Sequence, residues 1–194
     1  MYIILTNVKI IMKNNCYVGI DPGKSGGIAA IFDSGEHQVG ALPVTKENEI
    51  DIEELRGKLL VLREYGEIHC VLEDVHSIFG MSAKSNFQFG RVLGILEGVL
   101  GATGIDFIKI TPKVWQKEIW ANTTPISSLT GKKLKNGNPQ VKIDTKGTSL
   151  MVAKELFPNV NLLATKRSKV PHDGIVDSLL MAEFCRRKYS NKIL

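Results

Sequence analysis

Residues 16–23 read CYVGIDPG, an apolar run that ends in an acid, a proline and a glycine. The β-branched and aromatic residues of its first part predict a short buried strand at 16–20. Asp21 follows that strand directly, and the glycines and proline of the next stretch, PGKSGG, predict a tight turn. The pattern continues with a strand at 28–32, a hairpin turn at 33–35 and a strand at 38–42.

Farther along the chain, helical and strand patterns alternate. Residues 49–65 carry apolar side chains at helical spacing, and Gly66 ends that helix. A strand at 68–72 follows, with Glu73 at its end. The remaining predicted elements are a helix at 85–101, a strand at 106–110, a short helix opened by Thr111-Pro112, a helix capped by Thr148 or Ser149 and running through Phe157, and a last helix at 171–188.

The order of these elements predicts the fold class. Because tight turns join the first three strands, these are expected to form an antiparallel meander. The strands that follow the helices are expected to return parallel to the first strand. We therefore expect an α/β fold with a mixed five-stranded central sheet flanked by helices. The 194 residues suit a single domain over residues 1–194, without internal repeats.

The composition narrows the class of protein. With 43% hydrophobic and 23% charged residues, it is that of an ordinary soluble globular protein. No apolar run approaches the roughly 18–20 residues of a membrane span, so no membrane association is expected. The net charge of +5 favours a polyanionic partner such as nucleic acid. The three cysteines form no CxxC pair, which predicts reduced thiols without disulfides or zinc.

The chain begins with an apolar segment that has two interpretations. Residues 1–15 lack the charged start and the cleavage site of a signal peptide. The segment could form an extra N-terminal strand or arm. Alternatively, translation could begin at Met12, which leads straight into the first strand.

Four acids stand at positions where they can converge. Asp21 and Glu73 each follow a buried strand, so neighbouring strands would bring both to one edge of the sheet. Asp173 and Asp177 lie one turn apart on the last helix and share its sheet-facing stripe. Acids on such a stripe are costly without compensation. Each could instead act locally, Asp21 by capping its turn and Asp173 through the helix dipole.

A divalent metal would compensate these acids. Mg²⁺ and Mn²⁺ prefer oxygen ligands such as carboxylates. Two such ions about 4 Å apart can activate a water and stabilise the leaving 3′-oxygen of a phosphodiester. We therefore expect two Mg²⁺ or Mn²⁺ ions as the cofactors of this site.

Four segments resemble the RuvC family of Holliday-junction resolvases, and its phage-encoded branch in particular. They are VGIDPG at 18–23, Leu72-Glu73, Thr111-Pro112 and HDGIVDS at 172–178, and the resemblance spans about residues 16–187. It implies an RNase H-like fold, a homodimer and two-metal cleavage of four-way DNA junctions. By motif, the catalytic residues and metal ligands would be Asp21, Glu73, Asp173 and Asp177.

The sequence also departs from the bacterial members of that family. They commonly space the final acids three apart, whereas Asp173 and Asp177 are four apart, so Asp177 is the better match. Asp74 stands where they have glutamine, although strand alternation sends it to the face opposite its neighbour. His76 stands where they have an aromatic residue thought to work at the junction, so that role could pass to His76 or Phe79, or be lost.

Basic residues are candidates for contacts to DNA phosphates. Residues 122–147 predict a basic loop, for which a merely solvated loop is the alternative. Its candidate DNA-binding residues are Lys132, Lys133, Lys135 and Lys142. Lys117 and Lys146 match positions where the family has basic residues near the scissile phosphate, and Lys146 would act in catalysis by offsetting charge. Lys24, in the first turn, is a further candidate for the DNA backbone.

Three features have competing interpretations. GKSGG at 23–27 resembles a phosphate-binding turn of an ATPase, but it lacks the P-loop pattern, and a turn that needs small residues is the simpler account. His172 could assist proton transfer or bind metal, or it could hydrogen-bond at the helix start. The wide apolar arc of the second helix could pair with a second copy, or later elements could bury it.

The expected function is a metal-dependent endodeoxyribonuclease that hydrolyses phosphodiesters in four-way junctions during recombination, repair or other DNA processing. One alternative keeps the nuclease and widens its branched-DNA substrates to forks and flaps. Two others are a protein that binds branched DNA without cutting it and a small ATPase. The expected location is the cytoplasm, or the host cytoplasm if the chain is phage-encoded.

Overall fold

The structure is a computed structural model that describes residues 14–23, 25–74, 80 and 82–190. Its strands are β1 (Asn14–Asp21), β2 (Gly27–Phe32), β3 (His37–Ala41), β4 (Gly66–Glu73), β5 (Phe107–Ile110), β6 (Ser127–Lys133) and β7 (Pro139–Ile143). Its helices are α1 (Ile52–Tyr65), α2 (Ala83–Ala102), α3 (Pro112–Ile119), α4 (Thr145–Leu156) and α5 (Asp173–Ser190).

Five strands form the central sheet, in the order β3-β2-β1-β4-β5. The first three strands pair antiparallel, while β4 runs parallel to β1 and β5 runs parallel to β4. This confirms the predicted meander and the parallel return of the later strands. The predicted α/β fold class, a mixed five-stranded sheet flanked by helices, is confirmed with it, and the strand arrangement is that of an RNase H-like fold.

The alternation of side chains along the strands divides the core between the two faces of the sheet. On one face, Val18 and Ile20 of β1 pack with Leu55 of α1 and with the apolar side of α2. On the other face, Tyr17 of β1 belongs to a cluster with Leu179 of α5 and with residues of α3 and α4. Helices therefore cover both faces, and α5 lies across the middle of the second one.

Glycines bring α5 into close contact with the sheet. A Cβ atom on Gly19 of β1 would lie 2.3 Å from the carbonyl oxygen of Ser178, so no larger side chain fits there without a shift. A Cβ on Gly27 of β2 would lie 2.2 Å from the carbonyl oxygen of Gly174. Helix and strands therefore meet backbone to backbone at these points, and most residues of α5 are buried.

Two helices begin later than the sequence predicts, because caps decide where a helix starts. α1 begins at Ile52, since the Asp51 carboxylate accepts a hydrogen bond from the backbone N–H of Glu54 at 2.9 Å. α5 begins at Asp173, since the carbonyl of His172 already accepts the first hydrogen bonds of the helix.

α4 begins earlier than predicted, because its cap is Asp144 and not Thr148 or Ser149. The Asp144 carboxylate accepts a hydrogen bond from the backbone N–H of Gly147 at 3.0 Å. Thr148 and Ser149 are buried inside the helix instead. The Thr148 hydroxyl accepts a hydrogen bond from the backbone N–H of Ile126 at 3.0 Å, which ties the preceding segment to α4.

The segment 122–147, expected to be an irregular basic loop, contains the β6–β7 hairpin. Asn136 and Gly137 lie in its turn, where Gly137 has a φ of +84° and the Leu134 N–H donates to the Asn138 carbonyl at 2.8 Å. An Asn-Gly pair is a strong signal for such a turn. The flanking strands are polar and almost wholly exposed, so the sequence pattern did not predict a strand on either side of this turn.

Three further expectations can be compared with the structure. In the part of the chain that the structure describes, helices long and apolar enough to cross a membrane are absent. The cysteines, Cys16, Cys70 and Cys185, are buried and free, as predicted. β1 begins at Asn14, and the rest of the N-terminal segment 1–15 lies outside the described residues.

Gly19→Ala is expected to lower the free energy of unfolding by about 1–3 kcal/mol or more, because the added methyl group collides with the backbone of α5. Urea unfolding followed by circular dichroism measures the change. Gly57→Ala is the control, since a Cβ on Gly57 of α1 meets nothing within 4 Å. Alanine there should stabilise the helix by about 0.5–1 kcal/mol. Equal stability of the two variants would contradict the close packing of α5.

Candidate active site

Asp21 and Glu73 lie at the same edge of the sheet. β1 and β4 are parallel neighbours, and Ile20 pairs with Leu72 in their register. Asp21 and Glu73 are the next residues along the two strands. Both therefore emerge at the carboxyl-terminal edge, which is the arrangement that the strand-end pattern predicts.

Asp177 joins these two acids from α5. It precedes Ser178, the residue whose carbonyl oxygen comes closest to Gly19, so the tight packing of the helix brings Asp177 against the strand ends. The three carboxylates act on one another: repulsion from Asp21 and Asp177 raises the pKa of Glu73, and repulsion from Asp21 raises that of Asp177. We call Asp21, Glu73 and Asp177 the acidic cluster.

Burial is the main reason that the acidic cluster resists ionisation. It raises the pKa of Glu73 to about 7, and the neighbouring acids add to the rise, while a hydrogen bond from Trp115 opposes it. Burial also raises the pKa of Asp177 to about 7, opposed by a hydrogen bond from Ser149. The acidic cluster therefore has too few nearby positive charges and hydrogen-bond donors to stabilise all of its carboxylates in the ionised form.

Asp21 takes part in both the first turn and the acidic cluster. Its Oδ1 accepts a hydrogen bond from the backbone N–H of Gly23 at 3.0 Å, which is the turn-capping role considered from the sequence. Burial raises the pKa of Asp21, whereas the Gly23 hydrogen bond and the nearby His172 and Lys146 lower it. A carboxylate that accepts one such bond keeps further lone pairs for a ligand.

Asp173 lies at the rim of the cluster. Its side chain is 54% exposed, and its carboxylate forms an ion pair with the ammonium of Lys146. Asp173 still raises the pKa of both Asp21 and Asp177 by repulsion. Asp173 and Asp177 were expected to share the sheet-facing side of α5. Asp177 lies on that side, whereas Asp173 is exposed, because α5 begins at Asp173 and its later turns cover the sheet.

Lys146 brings positive charge to the same rim. It lies in the first turn of α4, and the hydrogen bond to Asp173 raises the pKa of its ammonium. Its charge lowers the pKa of Asp21 and of Asp177. The structure thus places Lys146 beside the acidic cluster, where the sequence expects a basic residue.

Trp115 and Ser149 belong to the site in a way that the sequence does not reveal. Trp115 is fully buried, and its Nε1–H donates to Oε1 of Glu73 at 3.0 Å. Ser149, expected to cap α4, hydrogen-bonds Asp177. Each lies far along the chain from the acid that it contacts, so no local spacing marks it.

The other predicted residues have varied placements. His172 is close enough to lower the pKa of Asp21, and its Nδ1 accepts a hydrogen bond from the Ile175 N–H at 3.3 Å, as expected of a residue at a helix start. The Glu97 hydrogen bond is the main cause of the raised pKa of Lys109 on the neighbouring strand, and the charge of Asp74 adds to the rise. The lysines predicted to contact DNA are exposed where the structure describes them: Lys117 on α3, and Lys132, Lys133, Lys135 and Lys142 on or beside the hairpin strands. Lys24, His76 and Phe79 lie outside the described residues.

The donor chemistry of the acidic cluster suits a hard divalent cation. Its donors are carboxylate oxygens, which Mg²⁺ and Mn²⁺ prefer, and a cation would relieve their mutual repulsion. Across residues 14–23, 25–74, 80 and 82–190, no group of three or more His, Cys, Asp or Glu side chains is gathered closely enough to hold one ion. The fit therefore lies in donor type and charge.

Comparisons with known proteins give matches among solved structures. Neither a family model nor a curated protein matches the chain. The structure of T. thermophilus RuvC in complex with Holliday junction substrate is 14% identical over 92% of this chain and 96% of that chain, with a TM-score of 0.49. A second Thermus thermophilus RuvC structure is 14% identical over 90% of this chain and 96% of that chain, with a TM-score of 0.46. Because both scores lie below 0.5, the fold assignment rests on the strand order and register described above.

The raised pKa values predict that, without divalent metal, stability falls as the pH rises. Glu73 and Asp177 have a pKa of about 7 in the folded protein, above the values of roughly 4 of an unfolded chain. Glu73 and Asp177 therefore bind protons more tightly in the folded state than in the unfolded chain. The resulting stabilisation is complete below about pH 4 and is lost as the pH rises to about 7.

Urea unfolding in EDTA between about pH 5 and pH 8 measures this effect. Asp177→Asn should be more stable than the wild type at pH 8 and should show a smaller fall, because it removes one member of the repelling cluster. Glu53→Gln is the control, since Glu53 is exposed on α1. If Asp177→Asn followed the wild-type pH dependence, the raised pKa of Asp177 would be refuted.

Proposed function

We propose that the protein is a divalent-metal-dependent endodeoxyribonuclease that hydrolyses phosphodiesters in four-way DNA junctions. The observation that carries this proposal is the meeting of Asp21, Glu73 and Asp177 at one edge of the sheet, half-buried and mutually repelling. Such a group lowers stability unless a cation compensates it. A role in folding alone therefore does not account for the acidic cluster.

Each residue of the site has a proposed role. Bound Mg²⁺ or Mn²⁺ would activate the attacking water and stabilise the leaving 3′-oxygen. The acidic cluster would hold the ions, and Trp115 would orient Glu73 through its Nε1–H. Lys146 would offset the charge that develops on the phosphate. His172, which interacts electrostatically with Asp21, would hold or move a proton at the rim.

We propose Asp173 as the fourth ligand. Its ion pair with Lys146 is exposed on both sides, and exposed pairs contribute little to stability, so the pair exchanges easily. When DNA and metal bind, Asp173 would turn to the ions and Lys146 to the phosphate. Four carboxylates around the scissile phosphate would then suit two ions.

The β6–β7 hairpin is proposed to contact DNA. It joins α4 at Asp144, two residues before Lys146, and the bond from Ile126 to Thr148 holds its other end against the same helix. The hairpin therefore rises from the rim of the acidic cluster. The proposed phosphate contacts on and beside it are Lys132, Lys133, Lys135 and Lys142, with Lys117 on α3 and Lys24 in the first turn as further contacts.

The choice of a four-way junction rests on the motifs VGIDPG and HDGIVDS, which resemble those of junction resolvases. A junction has two equivalent strands to cut, so we also propose a two-fold homodimer. Much of the apolar arc of α2 is buried within the subunit, and Phe87, which is 69% exposed, is the candidate contact to a second copy. Such an enzyme would work in the cytoplasm, or in the host cytoplasm if it is phage-encoded.

Asp21→Asn is expected to reduce junction cleavage to the level of the reaction without enzyme, because an amide is a poor ligand for a hard cation. The assay follows cutting of a labelled synthetic junction in Mg²⁺ and in Mn²⁺. Asp106→Asn is the control, since Asp106 is exposed and lies outside the site. Undiminished cutting by Asp21→Asn would refute the metal-site proposal.

The same assay separates the substrate classes. Equal rates on forks, flaps and junctions, at one salt concentration, would replace the junction resolvase with a broader branched-DNA nuclease. Binding of junctions without cutting by the wild type, in either metal, would replace it with a binding protein.

Trp115→Phe is expected to lower kcat by about 10–100-fold, because it removes the hydrogen bond that orients a metal ligand. That bond lowers the pKa of Glu73, so the acid limb of the pH–rate profile should also move to higher pH. Trp120→Phe is the control, since the buried Nε1 of Trp120 has no hydrogen-bond partner among the described residues. Identical pH profiles for both variants and the wild type would contradict a role for Trp115.

A further inference from the structure

The loop that precedes α5 carries concentrated positive charge. Residues 165–169 read TKRSK, and no acid occurs from residue 157 to residue 172. Lys166, Arg167 and Lys169 are all exposed. We call residues 165–169 the TKRSK loop.

Hydrogen bonds hold the TKRSK loop in a defined shape. The Thr165 N–H donates to the Ser168 hydroxyl at 3.2 Å, the Ser168 N–H donates to the Thr165 carbonyl at 3.1 Å, and the Arg167 N–H donates to the Thr165 hydroxyl at 3.2 Å. The His172 N–H closes the loop by donating to the carbonyl of the buried Leu162 at 2.8 Å. A loop ordered before binding loses less entropy when it binds a ligand.

The TKRSK loop leads along the chain into residues at the rim of the acidic cluster. His172, three residues after Lys169, interacts electrostatically with Asp21, and Asp173 follows at the rim. A Cβ on Gly174, in the first turn of α5, would lie 2.3 Å from the carbonyl oxygen of Ser25, so the start of α5 is anchored against the first turn of the chain. The TKRSK loop is therefore joined to the rim of the acidic cluster through the start of α5, whereas the hairpin is joined to it through α4.

Ion pairs neutralise several basic residues of the helices and strands. They join Arg56 with Glu53, Lys58 with Glu54, Arg91 with Glu49, Lys109 with Glu97, and both Arg186 and Arg187 with Glu183. Within the described part of the chain, Lys166, Arg167 and Lys169 form no ion pair. Their charge is not neutralised by the protein, so it is available to an anionic partner.

We propose that the TKRSK loop binds the phosphodiester backbone of the DNA substrate and holds the strand over the acidic cluster. This inference rests on the proposed DNA nuclease function, and it adds a binding surface on the α5 side of the site. Arg167 presents a planar donor group suited to bidentate phosphate binding, and the two lysines add point charges. The loop also offsets the repulsion between the DNA phosphates and the nearby carboxylates.

The test is DNA binding by a triple variant, Lys166→Gln with Arg167→Gln and Lys169→Gln. It is made in full-length Asp21→Asn protein with Mg²⁺, so that binding is measured without cutting. Fluorescence anisotropy gives the Kd for a labelled four-way junction at several salt concentrations. The control variant, Lys58→Gln with Lys154→Gln and Lys188→Gln, removes the same charge from exposed positions away from the loop. Thermal unfolding checks that both variants fold like the parent.

The triple variant is expected to raise the Kd by about tenfold or more at moderate salt, and to reduce the slope of log Kd against log salt by about two to three, since each lost phosphate contact removes nearly one unit. The control should change the Kd only slightly. Equal effects of the two variants, or no binding of DNA by the parent, would overturn the proposal. Junction cutting by the wild-type protein is measured in a separate assay. The proposed nuclease activity and the proposed DNA binding by the TKRSK loop can therefore be refuted independently.

Discussion

The backbone contact between α5 and the sheet is the constraint on which the acidic cluster depends. Gly19 and Gly27 leave no side chain between the strands and the helix, so the helix lies closer than a Cβ atom would allow. A larger residue at either position would push α5 outward and carry Asp177 away from Asp21 and Glu73. The absence of side chains at these two glycines therefore allows α5 to hold Asp177 close to the strand ends.

This placement has an electrostatic consequence. Burial and mutual repulsion raise the pKa of Glu73 and Asp177 to about 7, so the cluster opposes folding when it is ionised. The apolar clusters on both faces of the sheet provide the stability that offsets this unfavourable contribution of the acidic cluster. A bound cation would reverse the effect by favouring the ionised carboxylates. The basic hairpin and the TKRSK loop would likewise let a polyanion approach a group of acids that otherwise repels it.

Much of this arrangement follows from local sequence patterns. The apolar run before Asp21 and the similar run before Glu73 predict strands, and parallel pairing of those strands brings both acids to one edge. The different exposures of Asp173 and Asp177 were not predictable, because they depend on where α5 begins. The contact of Trp115 with Glu73 was not predictable either, since it joins an α3 residue to a β4 residue through tertiary packing. Helical and strand periodicities carry no information about such contacts between elements.

Anomalous diffraction from crystals of the wild-type protein grown with Mn²⁺ tests the central claim most directly, because it locates the ions without relying on activity. We expect Mn²⁺ peaks coordinated by the carboxylates of Asp21, Glu73 and Asp177, and the loss or weakening of these peaks in Asp177→Asn crystals. Crystals in which Mn²⁺ binds elsewhere on the protein, while the acidic cluster holds none, would contradict it.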